Sequence, residues 1–178
     1  TLTGATLPEC TAETGSGLGL RLAKQLYEAE GSDEASVPIL YDKKTKRIVA
    51  NESAEILRML NTQAHALGST IPQGQRPDLY PSGEENQALR DEIDQLNTQI
   101  YANINNGAYK AGFSSDQAVY AAAYAKYFDT LAALEARLAS DNRPFLTGDR
   151  FTEADLRLFP TLFRHDPVYY LRMKLNGA

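Results

Sequence analysis

The stretch VPILYDKKTKRIVANES, residues 37–53, contains two strand patterns, a polar turn between them and a helix start. Strand-forming Val, Ile, Leu and Tyr fill most of residues 37–41, and Ile-Val follows at 48–49. The intervening residues, 42–46, are polar and predict a hairpin loop. An Asn-Glu-Ser tripeptide then offers capping side chains to the helix-forming run 54–60. We therefore expect a β-hairpin followed directly by a helix.

Composition indicates an ordinary globular protein. The 178 residues are 43% hydrophobic and 23% charged, which argues against disorder. A net charge of −5 argues against a general nucleic-acid binder, whose binding face would be basic. No run of 18 apolar residues occurs, so we expect no transmembrane helix. A chain with a single cysteine, Cys10, cannot form an intrachain disulfide. We therefore expect a location in the cytoplasm or inside an organelle rather than secretion.

Residues 1–17 are rich in Thr, Gly and Ser without a period, and predict a loop or tail. Cys10 lies there between Glu9 and Glu13, whose charge would not lower the pKa of a thiol, so we interpret it as an ordinary cysteine. The chain begins at Thr1 without a targeting pattern. We expect it to be a processed or incomplete form.

The pattern along the chain predicts two domains. An amphipathic pattern over residues 18–30, with Leu18, Leu22, Leu26 and Ala29 on one face, predicts a helix that packs on the hairpin. This helix, the hairpin and the following helix form the first domain, 18–66. Residues 67–83 carry repeated Gly and Pro and predict a linker before an all-helical domain, 84–178.

The helical domain shows two long apolar stripes. In the first, apolar residues recur every three or four positions from Leu89 to Ile104; Asn-Asn-Gly at 105–107 should weaken that helix and Gly112 should end it. The second begins after Ser-Ser-Asp at 114–116 and is rich in Tyr, Phe and Leu. We interpret its aromatic residues as bundle core rather than as a cofactor site.

A helix start follows at Thr152, with Thr152 as the N-cap and Asp155 as a short capping-box partner. Pro160 inside this helix predicts a kink or a local break, and Asp-Pro at 166–167 predicts a further bend. The basic residues at 43–47 are interpreted as an exposed hairpin tip rather than an anion site. His65 and His165 have no companion ligands in sequence, so we expect no metal site.

Several motifs resemble one family in order and spacing. They are VPILYDKKTKRIVANESAEILRMLN, IYANINNGAYKAGF and FLTGDRFTEADLRLFPTLFRHDPVYYLRMKLN. All resemble the glutathionyl-hydroquinone reductases, the Xi class of glutathione transferases, which is related to the omega class. The resemblance implies an α+β fold: a partial thioredoxin-like segment of helix, β-hairpin and helix, then an all-helical C-terminal domain, incomplete at both ends.

The resemblance also implies binding sites and a reaction. Glutathione would be bound by the backbone before a cis-proline and by a Glu-Ser pair at a helix start, which fall on Val37, Pro38, Glu52 and Ser53. A helix N-terminus with a hydroxyl suits a carboxylate. Tyr109 and, less clearly, Tyr169 would face the hydroquinone; without the resemblance, we would favour a packing role for both. The family reduces glutathionyl-hydroquinones by thiolate attack on the adduct sulfur.

The family's nucleophile lies in a Cys-Pro-Trp-Ala motif, and this sequence has neither that motif nor any Trp. No catalytic residue is therefore assigned. Two functions stay open: part of a glutathione-dependent enzyme acting on quinone-type molecules, or a non-catalytic subunit, as a homodimer or in a larger assembly. A two-stranded hairpin is marginal alone, so under either we expect a further strand to pair with it.

Overall fold

Residues 14–176, apart from the side chain of Gln73, are described by a computed structural model in which the chain divides into two compact units between Ser69 and Thr70. The first unit contains α1 (Ala23–Glu28), β1 (Leu40–Asp42), β2 (Arg47–Ala50) and α2 (Ser53–Gln63). The second contains short 3₁₀ turns, a series of helices and two π-helical segments. These are Gln73–Gln75, Glu84–Asn86, α3 (Gln87–Gln99), the π-helical Ile100–Asn105, α4 (Asn106–Phe113), α5 (Gln117–Ala139), α6 (Glu153–Phe163), the π-helical His165–Tyr169 and α7 (Tyr170–Arg172).

The first helix is shorter than the apolar pattern predicted. It begins at Ala23 rather than at residue 18, and Leu22 is 64% exposed. Its start is set by Gln25, whose Oε1 accepts hydrogen bonds of 2.9 Å from the N–H groups of Arg21 and Leu22. Glycines before it adopt positive φ, which an α-helix does not allow. The predicted apolar face was therefore wrong at Leu18 and Leu22.

The hairpin forms as expected, but its first strand starts at Leu40, not at Val37. Leu40 pairs with Ala50 and Tyr41 with Ile48, so Val49 forms an irregularity in the register and lies exposed. At the turn, the Asp42 carboxylate accepts hydrogen bonds from the backbone of Lys44 and Thr45 and from the Thr45 hydroxyl. These bonds hold the pKa of Asp42 below its usual value, the Thr45 hydroxyl most of all.

Among the described residues the sheet has two strands. The outer edge of β2 is partly covered, because Glu30 accepts a hydrogen bond from the Ile48 N–H and lies 3.4 Å from Nε of Arg47. No contact of this kind is described for the β1 edge within residues 14–176. The predicted pairing with a further strand stays a prediction.

A single hydrophobic core holds the helical unit together. It includes the apolar stripes of both long helical stretches, with the aromatic residues of α5 packed as core, and the residues that follow α7. The fully or nearly fully buried members include Ile100, Ile104, Ala108, Ala111, Tyr127, Leu134, Leu146, Ala154, Tyr169 and Leu175. Asp116 caps α5, and its carboxylate accepts hydrogen bonds of 2.7 and 3.0 Å from the N–H groups of Ala118 and Val119.

The helix expected to weaken at Asn-Asn-Gly instead widens just before it. Residues Ile100–Asn105 are π-helical, and α4 then runs through Gly107 to Phe113. Gly112 serves close packing: a Cβ there would lie 2.7 Å from the Cα of Met173. Gly112 is therefore placed where another segment approaches the helix, one residue before the helix ends.

Of the kink or local break expected at Pro160, the break was wrong, because α6 continues to Phe163; the kink stays a prediction. Nearby, Asn105 Nδ2 donates to the Arg157 carbonyl at 3.1 Å and to the Thr161 hydroxyl at 2.6 Å. Asp-Pro at 166–167 lies in the π-helical segment rather than at a simple bend. No helix within residues 14–176 is both long and apolar enough to cross a bilayer.

Candidate functional site

The first unit exposes the start of α2. Glu52 is the N-cap residue in an extended conformation, and its side chain makes no capping hydrogen bond. Ser53 is the first helical residue, and both side chains are exposed. Because α2 is 11 residues long and has no side-chain cap among the described residues, its first N–H groups and the Ser53 hydroxyl are available to an anion.

The segment before the hairpin is held next to that helix start. The Val37–Pro38 peptide bond is cis, as the family resemblance implies. The preceding residue, Ser36, accepts at its carbonyl a 3.1 Å hydrogen bond from the hydroxyl of buried Tyr27 on α1. Asn51 Nδ2 also donates to the Ser36 hydroxyl at 3.3 Å. These contacts bring residues 36–38 and 51–53 together, and we call these six residues the cradle.

A groove of about 480 Å³ runs beside β1. Its walls include Ser16 from the loop before α1, Leu26 from α1, Val37 from the segment before the hairpin and Tyr41 from β1. The groove is mainly apolar and includes one cradle residue, Val37. The groove therefore adjoins the cradle at Val37.

In the second unit the two predicted pocket tyrosines meet. Tyr109 on α4 and Tyr169, 60 residues later, have their hydroxyl oxygens 3.2 Å apart. Their rings lie edge to face at a centroid distance of 5.7 Å. Tyr169 is 3% exposed and Tyr109 is 41% exposed. The pair thus presents one accessible phenol, backed by a buried one that fixes its direction.

The electrostatics of this pair keep Tyr109 protonated. The hydrogen bond with Tyr169 raises the pKa of Tyr109 above its usual value, with burial adding to the effect, while the charge of Arg164 opposes it. At neutral pH the Tyr109 hydroxyl is therefore neutral and can both donate and accept. Phe113, whose ring stacks at 6.0 Å on that of Tyr109, extends the accessible aromatic surface.

A second polar pair lies beside the tyrosines and was missed in the sequence. The hydroxyl of Tyr127, which is fully buried, lies 3.0 Å from Nδ1 of His165. Burial raises the pKa of Tyr127 to about 12. Sequence reasoning assigned Tyr127 to the core stripe and weighed His165 only as a metal ligand. The order of residues gives no signal that these two side chains meet.

The remaining predicted residues have structural surroundings. The Asp155 carboxylate accepts hydrogen bonds of 2.9 Å from the Thr152 N–H, 3.2 Å from the Thr152 hydroxyl and 2.8 Å from the Leu146 N–H. Asp155 thus ties the start of α6 to the preceding loop. Lys43, Lys44 and their basic neighbours are exposed. Cys10 lies outside the described residues.

No cluster of three or more His, Cys, Asp or Glu suited to a metal ion occurs within the described part of the chain. His165 instead pairs with Tyr127, and its ring lies edge-on to Phe128 at 6.0 Å. The chemistry that these residues offer is hydrogen bonding to oxygen atoms and aromatic contact.

Comparison with known proteins relates both units to one group. Residues 117–176 match the sequence profile described as Glutathione S-transferase, C-terminal domain. The glutathionyl-hydroquinone reductase YqjG of Escherichia coli is 48% identical over 155 residues, which make up 85% of this chain and 44% of that protein. Glutathionyl-hydroquinone reductase PcpF of Sphingobium chlorophenolicum is 45% identical over 155 residues, or 85% of this chain and 46% of the relative.

Solved structures agree with these relatives. The glutathione-bound structure of YqjG from E. coli superimposes with a TM-score of 0.78 at 44% identity, covering 92% of this chain and 50% of that one. The predicted fold class, a partial thioredoxin-like segment followed by a helical C-terminal domain, is confirmed by this similarity. The chain spans about half the length of the curated relatives it matches.

Proposed function

Because the chain belongs to the glutathione transferase superfamily, in its Xi and omega-like branch, we propose that it serves the glutathione-dependent reduction of glutathionyl-hydroquinones. The observation that carries this proposal is the Tyr109–Tyr169 hydroxyl pair. Two phenolic hydroxyls 3.2 Å apart, one of them accessible, can exchange hydrogen bonds with a ring oxygen. The names of the relatives support the same substrate class.

In this proposal the cradle binds glutathione. The backbone of Val37 pairs with the cysteinyl part, next to Pro38. The γ-glutamyl end of glutathione carries an ammonium group and a carboxylate group. In this proposal, different groups at the start of α2 bind each of them. Glu52 suits the ammonium, whereas the Ser53 hydroxyl and the positive end of the helix suit the carboxylate.

The tyrosines act on the hydroquinone. Thiolate attack on the adduct sulfur forms an S–S bond and breaks the C–S bond, whose electron pair passes to the ring until a proton neutralises it. A neutral Tyr109 hydroxyl donates a hydrogen bond to a ring oxygen and stabilises the developing negative charge. Tyr169 orients that hydroxyl. The thiolate is not assigned to a residue of this chain, because the sequence lacks the Cys-Pro-Trp-Ala motif.

Binding measurements test the two sites separately. Calorimetric titration of glutathione into the purified protein should give saturable binding, weakened about tenfold by Ser53→Ala, which removes a hydrogen bond to a charged group. Gln63→Ala, at the exposed far end of α2, is the matched control and should bind as the unaltered protein does. Hydroquinone binding is measured by NMR of protein with labelled tyrosine. Added hydroquinone should shift the signal of Tyr109, and Tyr109→Phe should abolish hydroquinone binding. Absence of glutathione binding by the native protein would end the proposal.

We keep as a second candidate a non-catalytic glutathione-binding subunit, as a homodimer or in a larger assembly, because no catalytic residue is assigned in these 178 residues. Chromatographic detection of hydroquinone released from a glutathionyl-hydroquinone separates the two. Release by the native protein supports the enzyme, and glutathione binding without release supports the subunit. The intact mass of the native protein, against 19.6 kDa for these 178 residues, shows whether a longer chain carries the thiol, and light scattering gives the assembly state.

A further inference from the structure

His165 is tied to the core by a specific side-chain contact. Its Nδ1 lies 3.0 Å from the hydroxyl of Tyr127, which α5 places in the core. The two rings are almost parallel, with an interplanar angle of 17°. Phe128, the next residue of α5, meets the imidazole edge-on at an angle of 89°. The imidazole is thus fixed in both position and plane.

His165 and Tyr169 are the two ends of one five-residue π-helical segment. Along this segment the N–H groups of Val168 and Tyr169 both donate to the carbonyl of Arg164, at 3.0 and 3.1 Å. Pro167 has no N–H to contribute. The N–H of Tyr170 donates to the His165 carbonyl, so the backbone joins the start of the segment to the residue after its end. A side-chain tether at its start therefore matters for the position of its end.

We propose that His165 is a positioning residue: through its hydrogen bond with Tyr127 it holds the segment so that the Tyr169 hydroxyl stays against Tyr109. The importance of this for hydroquinone binding rests on the proposed function above. The geometric claim does not, because it concerns only contacts within the helical unit. Tyr109 has its accessible face to the solvent, so Tyr169 is the group that sets its direction.

The direction of the hydrogen bond follows from the chemistry of the partners. Tyr127 keeps its proton at neutral pH, and a phenol donates more readily than it accepts. An imidazole nitrogen without a proton is the better acceptor. In neutral His165 the ring proton is therefore expected on Nε2, with Nδ1 accepting from Tyr127.

The test measures the pKa of Tyr109. No hydrogen bond between His165 and Tyr109 is described, so any effect of His165 on this pKa is indirect. The pKa of Tyr109 is raised mainly by the hydrogen bond with Tyr169, so loss of alignment should return it towards its usual value near 10. NMR titration of protein carrying ring-labelled tyrosine, with Tyr109→Phe to assign the signal, reads this value directly. His165→Leu and Tyr127→Phe should both lower the pKa of Tyr109. His165→Asn, whose amide oxygen can accept near the Nδ1 position, should restore it.

Two measurements separate positioning from general stability. Tyr124→Phe removes a hydroxyl from the same helix without touching the His165 pair and should leave the Tyr109 titration unchanged. Thermal unfolding of each variant checks the fold. The positioning role is wrong if Tyr109 has the same pKa in folded His165→Leu and Tyr127→Phe as in the unaltered protein. This holds whatever the melting temperatures of the two variants. Because Tyr127→Phe keeps the packed ring, the test stands even if His165→Leu does not fold.

Ligand binding then links the two proposals. His165→Leu should weaken hydroquinone binding about three- to tenfold, the usual effect of one misplaced hydrogen bond, while glutathione binding stays unchanged. If the unaltered protein binds no hydroquinone, the proposed function fails, yet the Tyr109 titration still decides the role of His165. If hydroquinone binds equally well to His165→Leu, the positioning role does not extend to the ligand and that part of the inference is overturned.

Discussion

Asn97 and Glu153 meet inside the helical unit, where Nδ2 of Asn97 donates a 2.7 Å hydrogen bond to Oε1 of Glu153. Glu153 is the first residue of α6 and is 1% exposed. Its backbone N–H donates to the Leu79 carbonyl at 2.9 Å, and Arg157 approaches the carboxylate at 3.4 Å. Glu153 thus joins three segments: its carboxylate contacts Asn97 of α3 and Arg157 of α6, and its backbone N–H binds the segment before α3.

Asn97→Ala should lower the free energy of unfolding by about 2–4 kcal/mol, because it removes a donor from a buried charge. Chemical denaturation followed by circular dichroism measures this. Thr98→Ala, the neighbouring residue on α3 with an exposed hydroxyl, is the control and should stay within about 0.5 kcal/mol of the unaltered protein. Equal stability of the two variants would contradict the assigned role.

Two glycines of α4 should respond in opposite directions to alanine. Gly112→Ala places a Cβ 2.7 Å from the backbone of Met173 and should destabilise by about 1–3 kcal/mol. Gly107→Ala meets only Ala102 O at 3.6 Å, an ordinary contact, and should stabilise by up to about 1 kcal/mol through helix propensity. Denaturant midpoints for the pair measure the difference, and the same sign for both changes would refute this account.

Stability should decline at alkaline pH through Tyr127. Its pKa is about 12 in the folded protein against 10 for an unperturbed tyrosine, so the native state holds the proton more tightly. The contribution is fully present below pH 10 and is lost as the pH rises towards 12, at a cost of about 2–3 kcal/mol. Urea unfolding at several pH values should therefore show that the free energy of unfolding falls less steeply with rising pH in Tyr127→Phe than in the unaltered protein. Tyr170→Phe, on the exposed α7, should follow the unaltered curve.

The tether from α1 to the cradle should influence glutathione binding. Tyr27→Phe keeps the buried ring but removes the hydrogen bond to the Ser36 carbonyl, so glutathione should bind about two- to tenfold more weakly in calorimetry. Thr62→Val is a control from the same unit, because it removes an exposed hydroxyl that donates to the Arg58 carbonyl within α2, away from the cradle. An unchanged affinity in folded Tyr27→Phe would show that Ser36 is held without it.

The sequence predicted the elements better than their ends and contacts. The hairpin and the long helices follow from strand formers and apolar stripes. The start of α1 could not be predicted from the apolar pattern, because the Gln25 hydrogen bonds and the positive-φ glycines outweigh the apolar period. The π-helical turns also escaped detection, because the spacing of Ile93, Leu96, Ile100 and Ile104 fits an ordinary helix as well. In both cases local hydrogen bonding overrode the pattern.

The site residues show the same division. Tyr109 and Tyr169 were chosen through family resemblance, but their mutual hydrogen bond joins positions 60 residues apart and depends on packing of the whole helical unit. The Tyr127–His165 pair depends on the same packing. Ser36, which holds the cradle through its carbonyl, had no signal at all, because any residue supplies a carbonyl. The binding roles of Val37, Pro38, Glu52 and Ser53 stay predictions.

The π-helical turn at Ile100–Asn105 makes the direction of Tyr109 depend on how many residues precede it. Such a turn accommodates one residue more than an α-helical turn, and each residue of an α-helix advances by about 100°. A one-residue deletion inside the π-helical turn would therefore leave an ordinary α-helical turn and keep the phenol near its present direction. The same deletion between that turn and Tyr109 would swing the phenol roughly a quarter of the way around its helix. The extra residue thus gives this helix one place where its length can change without turning the phenol away.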